Sequence, residues 1–276
     1  MNALLALVAS ALWGTSDFGG GLMSRRLDPS AAVLISQAMA LAGLLALLPF
    51  LAVPIGLYVL TAAAAGVVAT LSLAAFYRAM ATAPMSLVAP ITAAGTAIPV
   101  VVGMVRGEHL SVLQLAGIAV TLTGVVLASG PELRSGVPVR RQALGLAIGA
   151  AVGFGVAYTL LALAASSSVY GTLLWQRIGG LIVLVPIVAR AGILRRIRMT
   201  ARRLGALALI GGCDIVANGS YALAASRGDL SIAAVLASLY PVVTALLARS
   251  ILAERLRPVQ TLGVLAALGG VLLLSS

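Results

Sequence analysis

Ten long apolar runs, separated by short polar breaks, cover almost the whole of the chain. Each run is continuously apolar rather than alternating, and each approaches the ~20 residues that a helix needs to cross a bilayer core. The pattern therefore predicts an all-α membrane protein with ten transmembrane helices. The predicted spans are 2–23, 30–50, 55–77, 84–105, 111–130, 142–165, 169–190, 204–225, 230–252 and 257–275.

The two halves of the chain resemble each other. When residues 92–117 are laid over residues 238–263, Glu108 aligns with Glu254 and Gln114 aligns with Gln260. Both halves also contain five spans, which indicates an internal duplication. We therefore divide the chain into a first repeat, 1–135, and a second repeat, 136–276.

The distribution of arginines predicts that the two repeats are inverted. Because each repeat holds an odd number of spans, the second enters the membrane in the opposite sense to the first. Arg25 and Arg26 follow span 1, whereas the equivalent break after span 6 has no arginine. Conversely, the break after span 2 has none, and the equivalent stretch 190–203 has six. We expect ten helices in two inverted five-helix repeats.

Composition excludes several classes of protein. Hydrophobic residues make up 61% of the chain and charged residues 9%, against about 25% charged in a soluble domain. A soluble enzyme and a nucleic-acid-binding domain are therefore excluded, and the net charge of +11 is assigned to loop arginines near the membrane. A single histidine and a single cysteine give no basis for a metal site or an intrachain disulfide. We expect no cofactor and no nucleic-acid partner.

Two segments carry a family resemblance: LWGTSDFGGG at 12–21 and SLYPVVTALLARSILAERLRPVQTLG at 238–263. They are similar to the EamA-type repeats of the drug/metabolite transporter superfamily, and the resemblance extends over essentially the whole chain. The first repeat departs from the pattern, because Gly95 stands where the second repeat has Pro241. The resemblance implies a secondary transporter of small metabolites, such as amino acids, sugars, nucleotide precursors or organic cations. The substrate site would lie between the repeats.

Three charged residues, Asp17, Arg177 and Asp214, lie well inside predicted spans rather than at their ends. A charge at the centre of a membrane helix costs ~2.5–3.5 kcal/mol, so such residues face a cavity or a partner rather than lipid. Asp17 and Asp214 are candidates for substrate binding and proton coupling, because burial favours the neutral form of a carboxyl group. Arg177 either binds an anionic group of the substrate or neutralises one of the aspartates. Purely structural pairing is the alternative for all three residues.

Polar and aromatic residues accompany these charges at helical spacing. Trp13 lies four residues before Asp17, and Asn218 lies four residues after Asp214, so each pair shares a helix face. The other candidate substrate-binding residues are Gln37, Tyr77, Tyr158, Gln176 and Tyr221. Tyrosines near span ends also fit an interfacial aromatic belt. The candidate gating kinks in spans 4 and 9 are Pro90, Pro99 and Pro241.

The function that these features favour is alternating-access transport of a small molecule, with proton coupling as an option. One alternative is a lipid translocator. A less favoured one is an intramembrane aspartyl enzyme that would use Asp17 and Asp214, although neither lies in a Gly-x-Gly-Asp setting. No nucleophile-elbow, zincin or Walker A motif occurs, so we assign no catalytic residues and expect no enzymatic activity.

A ladder of small residues in span 6, Gly145, Gly149 and Gly153, permits close contact between helices. We expect this ladder to pack within the helix bundle, which favours a monomer. A homodimer joined along the ladder is the alternative. The expected partners are thus a small-molecule substrate and membrane lipid.

The arginine count predicts the orientation in the cell membrane, whether inner or plasma membrane. One predicted face of the membrane collects 15 arginines and the other only two, and arginine-rich loops remain cytoplasmic. Both termini should therefore lie outside. A reporter enzyme that is active only in the cytoplasm should be inactive when fused after residue 276 and active when inserted at 194–198. Activity of the C-terminal fusion would reverse the predicted orientation.

Overall fold

The computed structural model describes residues 1–83, 88, 91–128, 141–193, 197, 199–252 and 258–274. Within those ranges the ordered elements are all helices, joined by turns and short irregular segments. The protein is therefore all-α, as the apolar runs predict. Pro90 and the predicted boundary between the repeats at 135/136 lie outside the described residues.

Eleven helices follow one another along the described chain. They are α1 (Asn2–Ser24), α2 (Pro29–Leu47), α3 (Tyr58–Thr82), α4 (Ile91–Val105), α5 (Val112–Ala128), α6 (Arg141–Ala165), α7 (Val169–Arg190), α8 (Ala201–Arg227), α9 (Leu230–Ala237), α10 (Tyr240–Leu252) and α11 (Pro258–Leu274). A 3₁₀ turn, Leu48–Phe50, continues α2, and another, Ala94–Thr96, lies inside α4. Each predicted span coincides with one helix, except that α9 and α10 together occupy the ninth.

Five of these helices are long and apolar enough to cross a membrane: α2 with its 3₁₀ continuation, α3, α6, α7 and α8. Four further segments are apolar but shorter, namely Ile91–Val105, Val112–Ala128, Leu230–Thr244 and Pro258–Leu274. Helix α1 has 23 residues but is not among these five, and its polar residues include Asp17.

Local sequence explains where several helices begin. The Asp28 carboxylate accepts a hydrogen bond from the amide of Ser30 at 2.9 Å, and Pro29 occupies the first turn of α2. Before α5, the Gln114 side-chain oxygen accepts from the Ser111 amide at 2.9 Å, and the Ser111 hydroxyl oxygen accepts from the Gln114 amide at 3.1 Å, which is a capping box. These caps satisfy amides that a helix start leaves unpaired.

Glu108 caps a helix of the opposite repeat. Its carboxylate accepts hydrogen bonds from the backbone amides of Leu230 at 2.6 Å and Ser231 at 3.0 Å. A carboxylate at a helix N-terminus is stabilised by the unpaired amides and by the helix dipole. The contact therefore ties the end of α4 in the first repeat to the start of α9 in the second.

The helices pack with the symmetry of two exchangeable halves. Helix α1 packs along α8, and the equivalent pair in the other half, α6 and α3, packs together as well. In the same way, α3 contacts α7 while α8 contacts α2. Finally α5 packs along α11, its own counterpart. The two repeats are thus interleaved rather than lying side by side.

The crossing of α5 and α11 runs antiparallel. Gly117 of α5 faces Gly270 of α11, whereas Gly124, further along α5, faces Gly263, which comes earlier in α11. A Cβ added at Gly124 would meet backbone atoms of Ala267 and Gly263, so the two backbones approach within the space that glycine leaves. The alignment of the two repeats places Gly117 over Gly263 and Gly124 over Gly270. Exchanging the repeats therefore turns the Gly117–Gly270 contact into the Gly124–Gly263 contact. Antiparallel contact between equivalent helices indicates inverted repeats.

A second pair of close approaches obeys the same symmetry. Gly66 of α3 rests against the backbone of Gln176 in α7, and Gly211 of α8 rests against the backbone of Ser36 in α2. The structure therefore relates α3 to α8 and α2 to α7. In this correspondence Gln176 is equivalent to Ser36, the residue before Gln37. These contacts bring α2, α3, α7 and α8 together at the centre of the bundle.

The predicted internal role of the span 6 ladder is wrong for two of its members. Gly153 packs on Ser72 of α3, but no atom of the described residues lies within 4 Å of a Cβ added at Gly145 or Gly149. Gly145 and Gly149 are exposed whereas Ala143 and Ala147 of the same turns are buried, so the ladder begins on the outer face of α6 and turns inward only at Gly153.

Gly124→Leu should destabilise the protein, because its side chain must separate α5 from α11. We expect a loss of about 1–3 kcal/mol, the usual cost of overpacking. Thermal unfolding in detergent, followed by circular dichroism, measures it. Gly149→Leu is the matched control, since it adds the same side chain to open space. Equal melting temperatures for the two variants would contradict the crossing described here.

Candidate functional site

Arg177 forms a buried ion pair in the middle of the bundle. Its guanidinium donates to the Asp214 carboxylate at 2.7 Å and also bonds the side-chain oxygen of Gln37. The arginine side chain is only 4% exposed, and that of Asp214 is 18% exposed. Of the two aspartates that the sequence offers to Arg177, the structure therefore pairs it with Asp214.

Asn218 and Gln176 extend the polar network. The Asn218 amide nitrogen donates to the Asp214 carboxylate at 3.1 Å and to the Asp214 carbonyl at 2.7 Å. Gln176 donates to the Asn218 side-chain oxygen at 3.4 Å. The network joins α2 of the first repeat to α7 and α8 of the second. The polar stripe predicted on span 8 thus faces the interior, as its cost in lipid requires.

Asp17 faces the same cavity but has no such partner. Its half-buried carboxylate makes no hydrogen bond or ion pair with any residue in the described ranges. Because the charge of Arg177 is balanced by Asp214, ionised Asp17 leaves the cavity with one uncompensated negative charge. That charge makes the cavity complementary to a cation or a proton.

Aromatic rings close one side of the cavity. Trp13 stacks on Tyr158 with a centroid distance of 4.6 Å, and Tyr221 packs against both rings at 5.5 and 5.6 Å. Phe154 lies parallel to Tyr158 at 5.6 Å. These rings come from α1, α6 and α8, so both repeats contribute to the cluster.

Two small cavities flank the aromatic cluster. The first is lined by the polar network and Asp17, and the second lies towards Pro99 and Tyr221. Both are bounded by Trp13, Tyr158 and Tyr240, which therefore form a partition between them. They leave only about 20 and 10 Å³ for the centres of water molecules, room for about one water each. Neither of these two cavities has room for a larger solute.

Several buried polar atoms next to these cavities lack a hydrogen-bond partner among the described residues. They are the indole nitrogen of Trp13, the hydroxyl of Tyr221, the amide oxygen of Gln176 and Nε of Arg177. An unsatisfied buried donor or acceptor costs about 1–3 kcal/mol. Donors and acceptors that the protein leaves open beside a cavity are available to a polar ligand.

Nine of the ten predicted substrate-binding residues line one of the two cavities. Eight of them line the first cavity: Trp13, Asp17, Gln37, Tyr158, Gln176, Arg177, Asp214 and Asn218. The second cavity shares Trp13 and Tyr158 with the first and adds Tyr221. Tyr77 lines neither of them. It is fully buried against Gly20 of α1, where the absence of a side chain makes room for its ring.

Sequence reasoning missed two aromatic residues that line these cavities, Phe154 and Tyr240. Tyr240 is 7% exposed, and its hydroxyl lies 3.1 Å from that of Thr92. Its position directly before Pro241 in the second quoted segment was the available signal. Phe154 gave none, because one phenylalanine in an apolar span does not indicate which way it faces.

Helix breaks coincide with two of the predicted prolines. A 3₁₀ turn, Ala94–Thr96, precedes Pro99 in α4, and α9 ends at Ala237 just before α10 begins with Tyr240 and Pro241. Proline removes one helix hydrogen bond and clashes with the preceding turn. The breaks lie at equivalent places in the two repeats, beside the aromatic partition.

Comparison with known proteins identifies the family. The sequence profile of the EamA-like transporter family matches residues 1–130 and again residues 141–276. The chain belongs to the EamA-like transporter family. It is a multi-pass membrane protein built from two EamA repeats, and its family is one of transporters rather than enzymes. The resemblance seen in the quoted segments is thereby confirmed.

One solved crystal structure shares the fold. It is 18% identical in sequence and superposes with a TM-score of 0.72 over 99% of this chain and 96% of the other. At that identity the likeness concerns the fold alone. No curated protein matches this chain.

Removing the Arg177 side chain should strongly destabilise the protein. Arg177→Met leaves Asp214 buried without its partner, and we expect a loss of about 3–5 kcal/mol. The double variant Arg177→Met/Asp214→Leu removes both charges and should recover most of that loss. Thermal unfolding of the two variants and of Asp214→Leu completes a double-mutant cycle. Additive losses would show that the ion pair is not coupled.

Proposed function

We propose that this protein is a secondary transporter of a small polar solute that works by alternating access. The observation that supports the proposal is a central cavity built from helices of both inverted repeats, with one carboxylate, Asp17, that has no partner among the described residues. Ionisable residues inside a membrane protein mark solute or proton pathways, because their burial is costly without a function.

The charges favour a small organic cation as the substrate. Arg177 is neutralised by Asp214, so it offers no free positive charge to an anion. Asp17 supplies an uncompensated negative charge, and the rings of Trp13, Tyr158 and Tyr240 line the same cavity. Aromatic faces attract cations within about 6 Å of the ring centre. Carboxylate and rings together suit an amine or quaternary ammonium group.

The same carboxylate accounts for coupling to protons. A cation and a proton compete for the Asp17 carboxylate, because either one neutralises its charge. If the transporter changes between its two open conformations only when Asp17 is neutralised, it exchanges a cation on one side of the membrane for a proton on the other. Proton–cation exchange is therefore the coupling we propose.

Alternating access explains why the cavities are so small. The space of about one water molecule cannot hold an organic cation, so binding requires the helices around the partition to move apart. The helix breaks beside Pro99 and Pro241 place irregular backbone next to that partition. Inverted repeats supply two related arrangements, one open to each side of the membrane.

The alternatives are less well supported. A lipid translocator needs a path for headgroups that opens sideways, whereas the polar groups here line a small central cavity. An aspartyl enzyme needs two carboxylates that share a proton. Asp214 is instead bonded to Arg177 and Asn218, with no hydrogen bond to Asp17 among the described residues.

Asp17→Asn should abolish coupled transport. In liposomes with an internal pH dye, adding quaternary amines, amino acids or sugars to wild-type protein identifies the solute that moves protons. We expect a response to the amines and at least a tenfold lower rate for Asp17→Asn, because the amide binds neither a proton nor a cation. Asp229→Asn makes the same change at an exposed position and should transport normally.

Two results would contradict the proposal. One is a wild-type rate for Asp17→Asn at equal reconstitution. The other is a response to neutral or anionic solutes without any response to amines.

A further inference from the structure

A basic pocket lies where α1 ends and α8 begins, away from the central site. Arg25 and Arg26 follow the last turn of α1, and Arg203 lies in the first turn of α8. With Asp28 they line a cavity of about 460 Å³. Three arginines and one aspartate are the charged residues in its described lining. One oxygen of Asp28 is also occupied by the N-terminal amides of α2.

An apolar groove lies along the same pair of helices. Its cavity of about 270 Å³ is lined by residues 15–23 of α1 and 206–213 of α8, mainly apolar ones such as Phe18, Leu22, Leu209 and Ile210. Leu209 is 66% exposed on the outer surface of the bundle. In a membrane this groove therefore opens towards the acyl chains.

The pocket and the groove adjoin each other. Arg203 lies three and seven residues before Ala206 and Ile210, so all three share one stripe of α8. The buried apolar cluster of this region holds Leu27 of the pocket together with Ile210 of the groove. The positive charge is thus placed at one end of the apolar groove, at the level where α1 leaves the membrane.

The dimensions of the groove match one leaflet. Residues 15–23 of α1 extend over about 12 Å at a rise of 1.5 Å per residue. Half of a bilayer core is about 15 Å. The groove is therefore about as long as an acyl chain of the leaflet whose headgroups meet the arginines.

We propose that this seam between the two repeats binds an anionic phospholipid, with its phosphate in the arginine pocket and one acyl chain in the groove. Basic pockets between membrane helices attract anionic headgroups, whereas a zwitterionic lipid carries no net charge to match a pocket in which arginines outnumber the acidic residue. A free phosphate ion would bind to the arginines of the pocket but would leave the apolar groove empty. The site is independent of the substrate cavity, and it involves none of the residues proposed to bind the solute.

Quenching of a groove fluorophore by brominated lipids tests the proposal. Leu209→Trp places an indole at the groove surface, and the purified variant is reconstituted into vesicles of phosphatidylcholine with brominated phosphatidylglycerol. We expect stronger quenching than with brominated phosphatidylcholine at the same mole fraction. Adding Arg25→Gln/Arg26→Gln should weaken the preference about fivefold per arginine, as expected near an anionic surface.

The matched control removes the same charge outside the pocket. Arg78→Gln/Arg202→Gln in the Leu209→Trp background replaces two exposed arginines that do not line the pocket, and the preference should persist. An equal loss in both double variants would reduce the effect to general surface charge and overturn the proposal. So would the absence of any preference in the Leu209→Trp protein itself.

Two further arms separate the parts of the site. Ala206→Phe in the same background fills the groove and should lower the preference while helix content is unchanged, as checked by circular dichroism. If it has no effect, the acyl chain does not occupy the groove and the proposal fails. Inorganic phosphate at millimolar concentration should leave the quenching unchanged. Its displacement of the lipid would show an anion site only.

Discussion

The buried guanidinium of Arg177 constrains the centre of this molecule. Arginine stays protonated in proteins and is costly to bury unpaired, so the helices around it must supply a carboxylate and further acceptors. Asp214 provides the charge from α8, and Gln37 provides an acceptor from α2 of the opposite repeat. The pairing unites the halves and selects which aspartate is left over. The electrostatic character of the cavity therefore depends on Asp214, rather than Asp17, being the partner.

The rest of the bundle is held by small residues that let backbones approach. Lipid gives helices no hydrophobic reason to associate, so packing and polar contacts must do so. Gly117 contacts Gly270 and Gly124 contacts Gly263, and the symmetry between the two repeats relates these two contacts. Glu108 adds a polar contact between the repeats at the start of α9. Each of these contacts joins one repeat to the other.

A symmetric scaffold here carries an asymmetric site. Gly14 packs on the backbone of Tyr240, and Gly155 packs on that of Gly95, so the two glycines occupy equivalent places. Three residues after them stand Asp17 in the first repeat and Tyr158 in the second. One repeat thus contributes the carboxylate and the other an aromatic ring. Symmetry of the backbone suits movement between two related arrangements, and divergence of the side chains supplies the chemistry.

Local information in the sequence determined the helices, their ends, the duplication, the inversion and the choice of Asp17, Arg177 and Asp214. Hydropathy, capping residues and the cost of charge in lipid act within one segment. Only the tertiary structure decided that Arg177 takes Asp214, that Phe154 and Tyr240 line the cavities, and that Gly145 and Gly149 lie outside. Helical periodicity shows which residues share a face. It does not show which neighbour covers that face, because the crossing of helices depends on contacts between residues far apart in the chain.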